Sequence, residues 1–411
     1  MGDTARLPRP KPCSFLSVLL VSLSVAGAVG CSGCSEQGAT ALATPSVAVG
    51  GDDSHACVLQ SGGEIYCWGQ NQSGELGSRL PRGQRRSDKP LRVERIPKAV
   101  SLAVGSEFTC AALSDGSVDC WGSNAFGMLG GGRFSMKAPY APQPPGFHPD
   151  PSPVVGIKRA IAVSGISDHA CALLSGGKVM CWGDNLYGQL GDGLSNHGTW
   201  TTGPSDIKID VSPRPVAVKG IHTATQISAG SGQTCAILRS GKVSCWGLVA
   251  FPRGAEAKST KPVEVKGVHN ARQVSVGPGF ACALIAGGSV KCWGSNANNQ
   301  LGANNTVGSL PVTVIRGVTG ATQVSAGSSS ACAVVRGGSV WCWNLSSFWM
   351  GKAAPMRGIS DAVQVSPGFN DACALRSGGK VSCWQLDGPF GPSGLGSSAR
   401  SKAPTEVAGI P

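Results

Sequence analysis

A seven-bladed β-propeller is the fold class this sequence predicts, and three observations predict it. Seven cysteine pairs recur with nine residues between partners: Cys57 and Cys67, Cys110 and Cys120, Cys171 and Cys181, Cys235 and Cys245, Cys282 and Cys292, Cys332 and Cys342, and Cys373 and Cys383. A tryptophan follows the second cysteine of every pair (Trp68, Trp121, Trp182, Trp246, Trp293, Trp343 and Trp384). Around each pair run short alternating apolar stretches, as at 226–229, 234–238 and 242–246, with a Ser-Gly or Gly-Gly turn inside the cysteine hairpin and a Pro-led fourth stretch such as 262–268. Four strands per unit and seven units make a ring, because a small sheet buries both faces only between neighbours.

The first 30 residues stand outside that ring. Arg6, Arg9 and Lys11 precede an apolar stretch at 14–27 and small residues at 28–30, the pattern of a secretory signal. The apolar run is shorter than the 18 or more residues of a membrane span. Ala28-Val29-Gly30-Cys31 resembles a bacterial lipobox, with Ala28 where leucine is more common, so Cys31 is expected to carry a lipid anchor. Residues 31–43 form a tether rich in Ser, Gly, Ala and Thr, and the ring occupies 44–411. Cys34, left over in the tether, is expected to be unpaired or intermolecular. A redox role for Cys31 and Cys34 lacks the folded surroundings that lower a thiol pKa.

Each cysteine pair is expected to be a disulfide. Centred on residue 240, the turn sets Cys235 opposite Cys245 on adjacent antiparallel strands, within the separation a disulfide permits. Export favours oxidation, and zinc would want cysteines two to four residues apart. Consecutive residues of a strand face opposite ways, so each blade should show a disulfide on one side and an indole on the other. Each tryptophan should then stack near its neighbour's disulfide.

After the tryptophan, Asn-x-x-Gly-x-Leu-Gly occurs as Asn71, Gly74, Leu76, Gly77, as Asn124, Gly127, Leu129, Gly130, and as Asn185, Gly188, Leu190, Gly191. With the preceding Cys-Trp-Gly it resembles the regulator-of-chromosome-condensation repeat over residues 44–411. The motif is partial in repeat 5, where Asn299 replaces a glycine, and eroded in repeats 4, 6 and 7. The resemblance implies a seven-bladed propeller and, as the best-known family activity, guanine-nucleotide exchange on a nuclear GTPase; an exported, disulfide-rich chain would not meet that partner. A secreted bacterial propeller of this kind that inhibits β-lactamases offers the alternative of an enzyme inhibitor.

No catalytic constellation, phosphate loop, cofactor motif or metal-ligand spacing stands out, so the chain is expected to be neither an enzyme nor a cofactor carrier. His55 and His169, two residues before a first cysteine, are expected to make structural hydrogen bonds. A Pro-led segment follows each of repeats 1–6, and the similar 404–410 at the chain end is expected to close the ring by completing the blade of Cys57 and Cys67.

The remaining expectation concerns binding. The net charge is +12, or +10 without residues 1–30, and 79–98 alone supplies +6. From the residue after the tryptophan to the next Pro-led strand there are 21, 31 and 32 residue steps in repeats 1–3, against 15 and 17 in repeats 4 and 5. These connections should emerge on one side, carrying Arg82, Arg85 and Arg86 in repeat 1, Phe134 and Tyr140 in repeat 2, and Tyr187 and Trp200 in repeat 3 as binding residues. The expected role is a monomeric binding or scaffolding module at the cell envelope. Its partner is a protein or an anionic envelope glycan, with membrane contact through the lipid anchor; nucleic acid is disfavoured because 79–98 has no aromatic residue for base stacking.

Overall fold

The computed structural model describes residues 43–50, 55–133, 148–197, 199–202, 207–250, 256–297, 299–302, 308–343, 352–386 and 403–411. Seven antiparallel sheets, each made from consecutive strands, form the blades. Blade 1 comprises Ser46–Val49, His55–Leu59, Ile65–Gln70 and Arg86–Arg92, counted from the axis outward. Blade 7 comprises Ala362–Pro367, Asp371–Arg376, Val381–Gln385 and Thr405–Glu406. Blade 3 has a fifth strand, Thr199–Thr202, hairpinned onto its outer strand Ile207–Ala217.

In every blade the two cysteines are directly opposed on the second and third strands. All seven pairs are disulfides, with Cα atoms 4.0–4.1 Å apart. The alternation of faces has the expected result at all seven seams. Trp121 packs in one apolar cluster with Cys57 and Cys67 of the blade before it. Trp182, Trp246, Trp293, Trp343 and Trp384 repeat the arrangement. Trp68 closes the circle against Cys373 and Cys383.

The innermost strands are bare edges around the axis, and such edges need blunting. Side chains of the preceding blade do this. Gln226 Oε1 accepts the Val274 N–H at 2.7 Å and Ser228 Oγ accepts that of Val276 at 3.0 Å. Gln273 and Ser275 serve Val324 and Ala326, and Gln323 serves Val365. Gln364 Oε1 and Ser366 Oγ then accept the Val47 and Val49 N–H groups of blade 1, at 2.8 and 3.1 Å.

That last pair joins the ends of the ring, and the C-terminal segment does not act as expected. Thr405 pairs with Cys383 and Glu406 with Ser382, so the segment is the outer strand of blade 7 and not of the Cys57–Cys67 blade. Blade 1 already has its own outer strand, Arg86–Arg92, returning from the loop after Trp68. Each Pro-led segment ends the blade it follows. What crosses the seam is Val407, buried among Val47, Trp68 and Val381.

Strand polarity gives the ring two unlike faces. Connections from first to second strand and from third to fourth emerge on one, the loop face. Cysteine-hairpin turns and the links between blades emerge on the other, the turn face.

Candidate functional site

The long connections of blades 1–3 share one internal scaffold. Asn71 Oδ1 accepts the Leu76 N–H at 3.0 Å and its Nδ2 donates to Ser78 O at 3.1 Å. Asn124 and Asn185 bind Leu129 and Leu190 in the same way. This turns one carbonyl of each motif toward the next blade: Glu75 O accepts the Trp121 indole N–H at 2.9 Å, Met128 O that of Trp182 at 2.7 Å, and Gln189 O that of Trp246 at 2.8 Å. The closing glycine is required by this contact. Gly77 sits at φ +65°, and a Cβ there would lie 2.8 Å from the Trp121 indole nitrogen. Where the preceding motif is eroded or partial, the indole N–H groups of Trp68, Trp293, Trp343 and Trp384 are buried without an acceptor among the described residues.

Two of these seams gain a further bond. Thr109 and Thr234 hydroxyls donate to Glu75 O and Gln189 O at 3.0 Å. His55 and His169 Nε2 lie 2.7 and 2.8 Å from those hydroxyls. Since each hydroxyl proton is already given to a carbonyl, the imidazole must donate from Nε2. Complete burial keeps both rings neutral, with pKa values lowered to about 3. The two histidines are thus structural, as expected. Blade 7 carries Asp371 in the same place, facing blade 1, where Ala56 replaces the threonine. Both Asp371 carboxylate oxygens lack hydrogen bonds among the described residues, and burial raises its pKa to about 7, with Arg86 opposing.

Blade 3 is pinned by a cluster that sequence reasoning missed. His197 Nε2 lies 2.7 Å from Asp192 Oδ2, and its Nδ1 2.9 Å from Asp210 Oδ1. The hydrogen bond to Asp210, then Asp192, raises its pKa to about 9 against the opposing effect of burial. Both ring nitrogens therefore donate and have no lone pair for a metal. Residues five and 13 positions from His197 meet only through the hairpin, so no sequence spacing announces them. Because the folded pKa exceeds the unfolded value of about 6.5, the cluster's stabilisation is complete below about pH 6.5 and is lost as the pH passes about 9. Melting curves of the parent and His197→Asn should differ most near pH 6 and converge by about pH 10; a gap independent of pH would assign the loss to packing.

The loop face carries both signs of charge. Glu75, Glu107, Asp168 and Asp184 follow one another over blades 1–3. Burial raises the Glu75 pKa to about 7, with Glu107 adding repulsion, and that of Asp184 to about 6, with Asp168 adding repulsion. Glu75 and Asp184 serve locally, accepting backbone N–H groups of Ser73 and Leu186, whereas Glu107 is exposed. Arg82 and Arg85 are exposed with no ion-pair partner among the described residues. Arg86 departs from the free cation expected: it is half-buried, bonds Asp88 at 2.6 Å, and its Nη2 is buried toward the blade 7 seam. The Tyr187 ring is half-buried, with Lys258 Nζ 5.0 Å from its centroid. Trp200 pairs through its backbone with Ile209 in the blade 3 hairpin. Phe134 and Tyr140 lie outside the described residues, as does Cys31. Leu186 and Leu194, which no periodicity singled out, flank the same blade 3 loop at 46% and 56% exposure.

Comparison with known proteins identifies the repeat. The family model described as the regulator of chromosome condensation (RCC1) repeat matches residues 46–75, 99–127, 160–189 and 271–300, and a second model of that description matches 62–112 and 176–237. The chain carries RCC1 repeats. Among curated proteins this RCC1-repeat propeller is 33% identical over 138 residues to the secretion-regulating guanine nucleotide exchange factor of Bos taurus, covering 32% of this chain and 28% of that one. It is 28% identical over 196 residues to the ultraviolet-B receptor UVR8 of Arabidopsis thaliana, covering 47% and 39%. It is 25% identical over 195 residues to the probable E3 ubiquitin-protein ligase HERC4 of Rattus norvegicus, covering 47% and 16%. The matches thus span well under half the length of these relatives. Human WBSCR16 shares the fold at a TM-score of 0.67 and 20% identity, over 84% of this chain and 94% of that one. Prp20p of Saccharomyces cerevisiae does so at 0.66 and 18%, over 84% and 86%.

Proposed function

We propose that this RCC1-repeat propeller is exported, is held at the cell envelope by a lipid on Cys31, and binds a protein partner through the loop face of blades 1–3 without a catalytic step of its own. One observation carries the reading. Loops locked by the Asn71, Asn124 and Asn185 bonds hold exposed Leu186 and Leu194 on the same face as free Arg82 and Arg85 and the carboxylate of Glu107. Apolar anchors within a charged rim suit a protein contact. The relatives support a binding or regulatory module: the work on Prp20p concerns its binding to Gsp1p and histones.

Capture by cross-linking in envelope extract tests the surface. Leu186→Ser with Leu194→Ser, and separately Arg82→Glu with Arg85→Glu, should each reduce capture of the major partner at least about tenfold, the loss of one or two interface anchors, with unchanged melting. An anionic glycan would respond to the arginine pair alone. Undiminished capture by both variants would move the site elsewhere. Cys31→Ser should abolish labelling by a fatty-acid analogue and leave the protein extractable from the membrane fraction by about 0.5 M salt, which does not release the lipidated parent.

A further inference from the structure

The turn face carries a pattern of its own. From blade 2 onward each link between blades reads as an apolar residue, a variable one, glycine, and a second apolar residue, whereas the first link is Val93-Glu94-Arg95-Ile96 with Arg95 in the glycine's place at φ 56°. In blades 3–6 the variable residue is a cation every time: Lys219, Lys266, Arg316 and Arg357. All four are exposed. The flanking apolar pairs, such as Val218 with Ile221 and Ile315 with Val318, are buried, apart from the half-buried Val265, which sets the backbone of the cations at equivalent places around the ring. Hairpin residues Arg239 and Arg336 join them, also exposed.

These six have no carboxylate within ion-pair distance among the described residues. In blades 4 and 7 the turn-face carboxylates are already taken within their own blade: Glu264 by Lys242, Asp361 by Arg376 and Glu406 by Lys380, at 3.0, 2.8 and 3.0 Å. An arc over four successive blades is therefore left with uncompensated positive charge, spread along one side of a rigid ring. It lies away from the segment 79–98 that dominates the sequence.

A second observation concerns where the chain enters. Ser46 pairs with Leu59, next to the Gln60 turn, and Val49 with Ala56 at the other end. The first strand therefore starts at the turn face, and Ala43, buried just before it, marks that entry. From there to Cys31 is a stretch of 12 residue steps, which covalent geometry limits to about 40 Å at most.

We infer that the turn face of blades 3–6 is a docking surface for an anionic lipid bilayer, with Lys219, Lys266, Arg316 and Arg357 meeting headgroup phosphates. The inference rests on the lipid-anchored reading only for orientation: an anchor at Cys31 would tether the face from which the chain departs. A basic surface beside the tether would hold the ring against anionic headgroups, each Lys or Arg adding to the attraction. The loop face would then point away from the membrane, toward its partner.

The test uses the full chain carrying Cys31→Ser, so that no acyl group contributes. Co-sedimentation is measured with vesicles of phosphatidylcholine alone and with vesicles containing about one third phosphatidylglycerol. Each Lys or Arg near such a surface contributes roughly fivefold in binding. The combined variant Lys219→Glu, Lys266→Glu, Arg316→Glu and Arg357→Glu should lose at least about 100-fold of the binding to anionic vesicles, and the milder glutamine set should lose less. Raising the salt to about 0.5 M should release the parent. Arg82→Glu with Arg85→Glu should bind as the parent does. Equal partitioning of parent and charge-reversed chain, both melting normally, would overturn the inference, as would indifference to phosphatidylglycerol. Failure of Cys31 labelling would sink the anchor alone, because vesicle binding is measured without it.

Discussion

Reduction of the seven disulfides is expected to lower the melting temperature by at least roughly 10–20 °C. Closing a loop of about ten residues contributes up to ~3 kcal/mol in the chain-entropy model. Seven such terms would exceed the whole stability of about 5–15 kcal/mol typical of a domain, so they do not simply add. At a third of that value they still amount to about 7 kcal/mol, and each kcal/mol moves the midpoint of a large domain by about 2 °C or more. Packing compounds the effect, because every disulfide forms one wall of the pocket holding the next blade's tryptophan. Calorimetry of the oxidised protein and of protein reduced in denaturant, then refolded, is the measurement. A midpoint within two or three degrees of the parent, with fourteen free thiols titrated, would falsify the dependence.

Removal of residues 403–411 should cost nearly as much for so short a segment. It takes away the outer strand of blade 7, the Val407 N–H bond to Val381 O at 2.9 Å and the Lys380–Glu406 pair. It also removes Val407, 4% exposed at the seam, whose burial alone is worth about 1.5–3 kcal/mol. The midpoint should fall by about 5–10 °C, and the bared edge of Val381–Gln385 should promote aggregation. Amide exchange locates the damage: protection should be lost along Val381–Gln385 and kept along Ile65–Gln70, which retains its own outer strand. Loss confined to Ile65–Gln70 would restore the closure that the sequence suggested.

The difference between those two closures shows where sequence reasoning stops. Cysteine spacing and period-two alternation determine which residues oppose one another and which face a neighbour, so the disulfides, the stacked indoles and the number of blades were all legible. Similarity among Pro-led segments tells only that they are alike. It does not tell whether each bonds to the unit before it or after it, and the register of Thr405 on Cys383 decides that. Among the candidate binding residues, Arg82 and Arg85 are as exposed as composition implied, while Arg86 is drawn toward the seam and Asp88 by geometry that no pattern carries. The cation arc of blades 3–6 was written in the sequence as Lys-Gly or Arg-Gly at 219, 266, 316 and 357. It was hidden because charge spread one residue per blade forms no run.

The indole bonds carry one more consequence. Trp121, Trp182 and Trp246 are fastened to a carbonyl of the blade before them, whereas Trp68, Trp293, Trp343 and Trp384 have no such fastening among the described residues. The circle is therefore mechanically uneven, with blades 1–4 joined by three riveted seams and the other four seams held by side-chain packing and edge capping. Since proteins open where local contacts are weakest, heat or tension should part the ring within the arc from blade 4 round to blade 1. Blades 1–4 would then stay together as one stiff segment, with the spacing of the loops of blades 1–3 preserved.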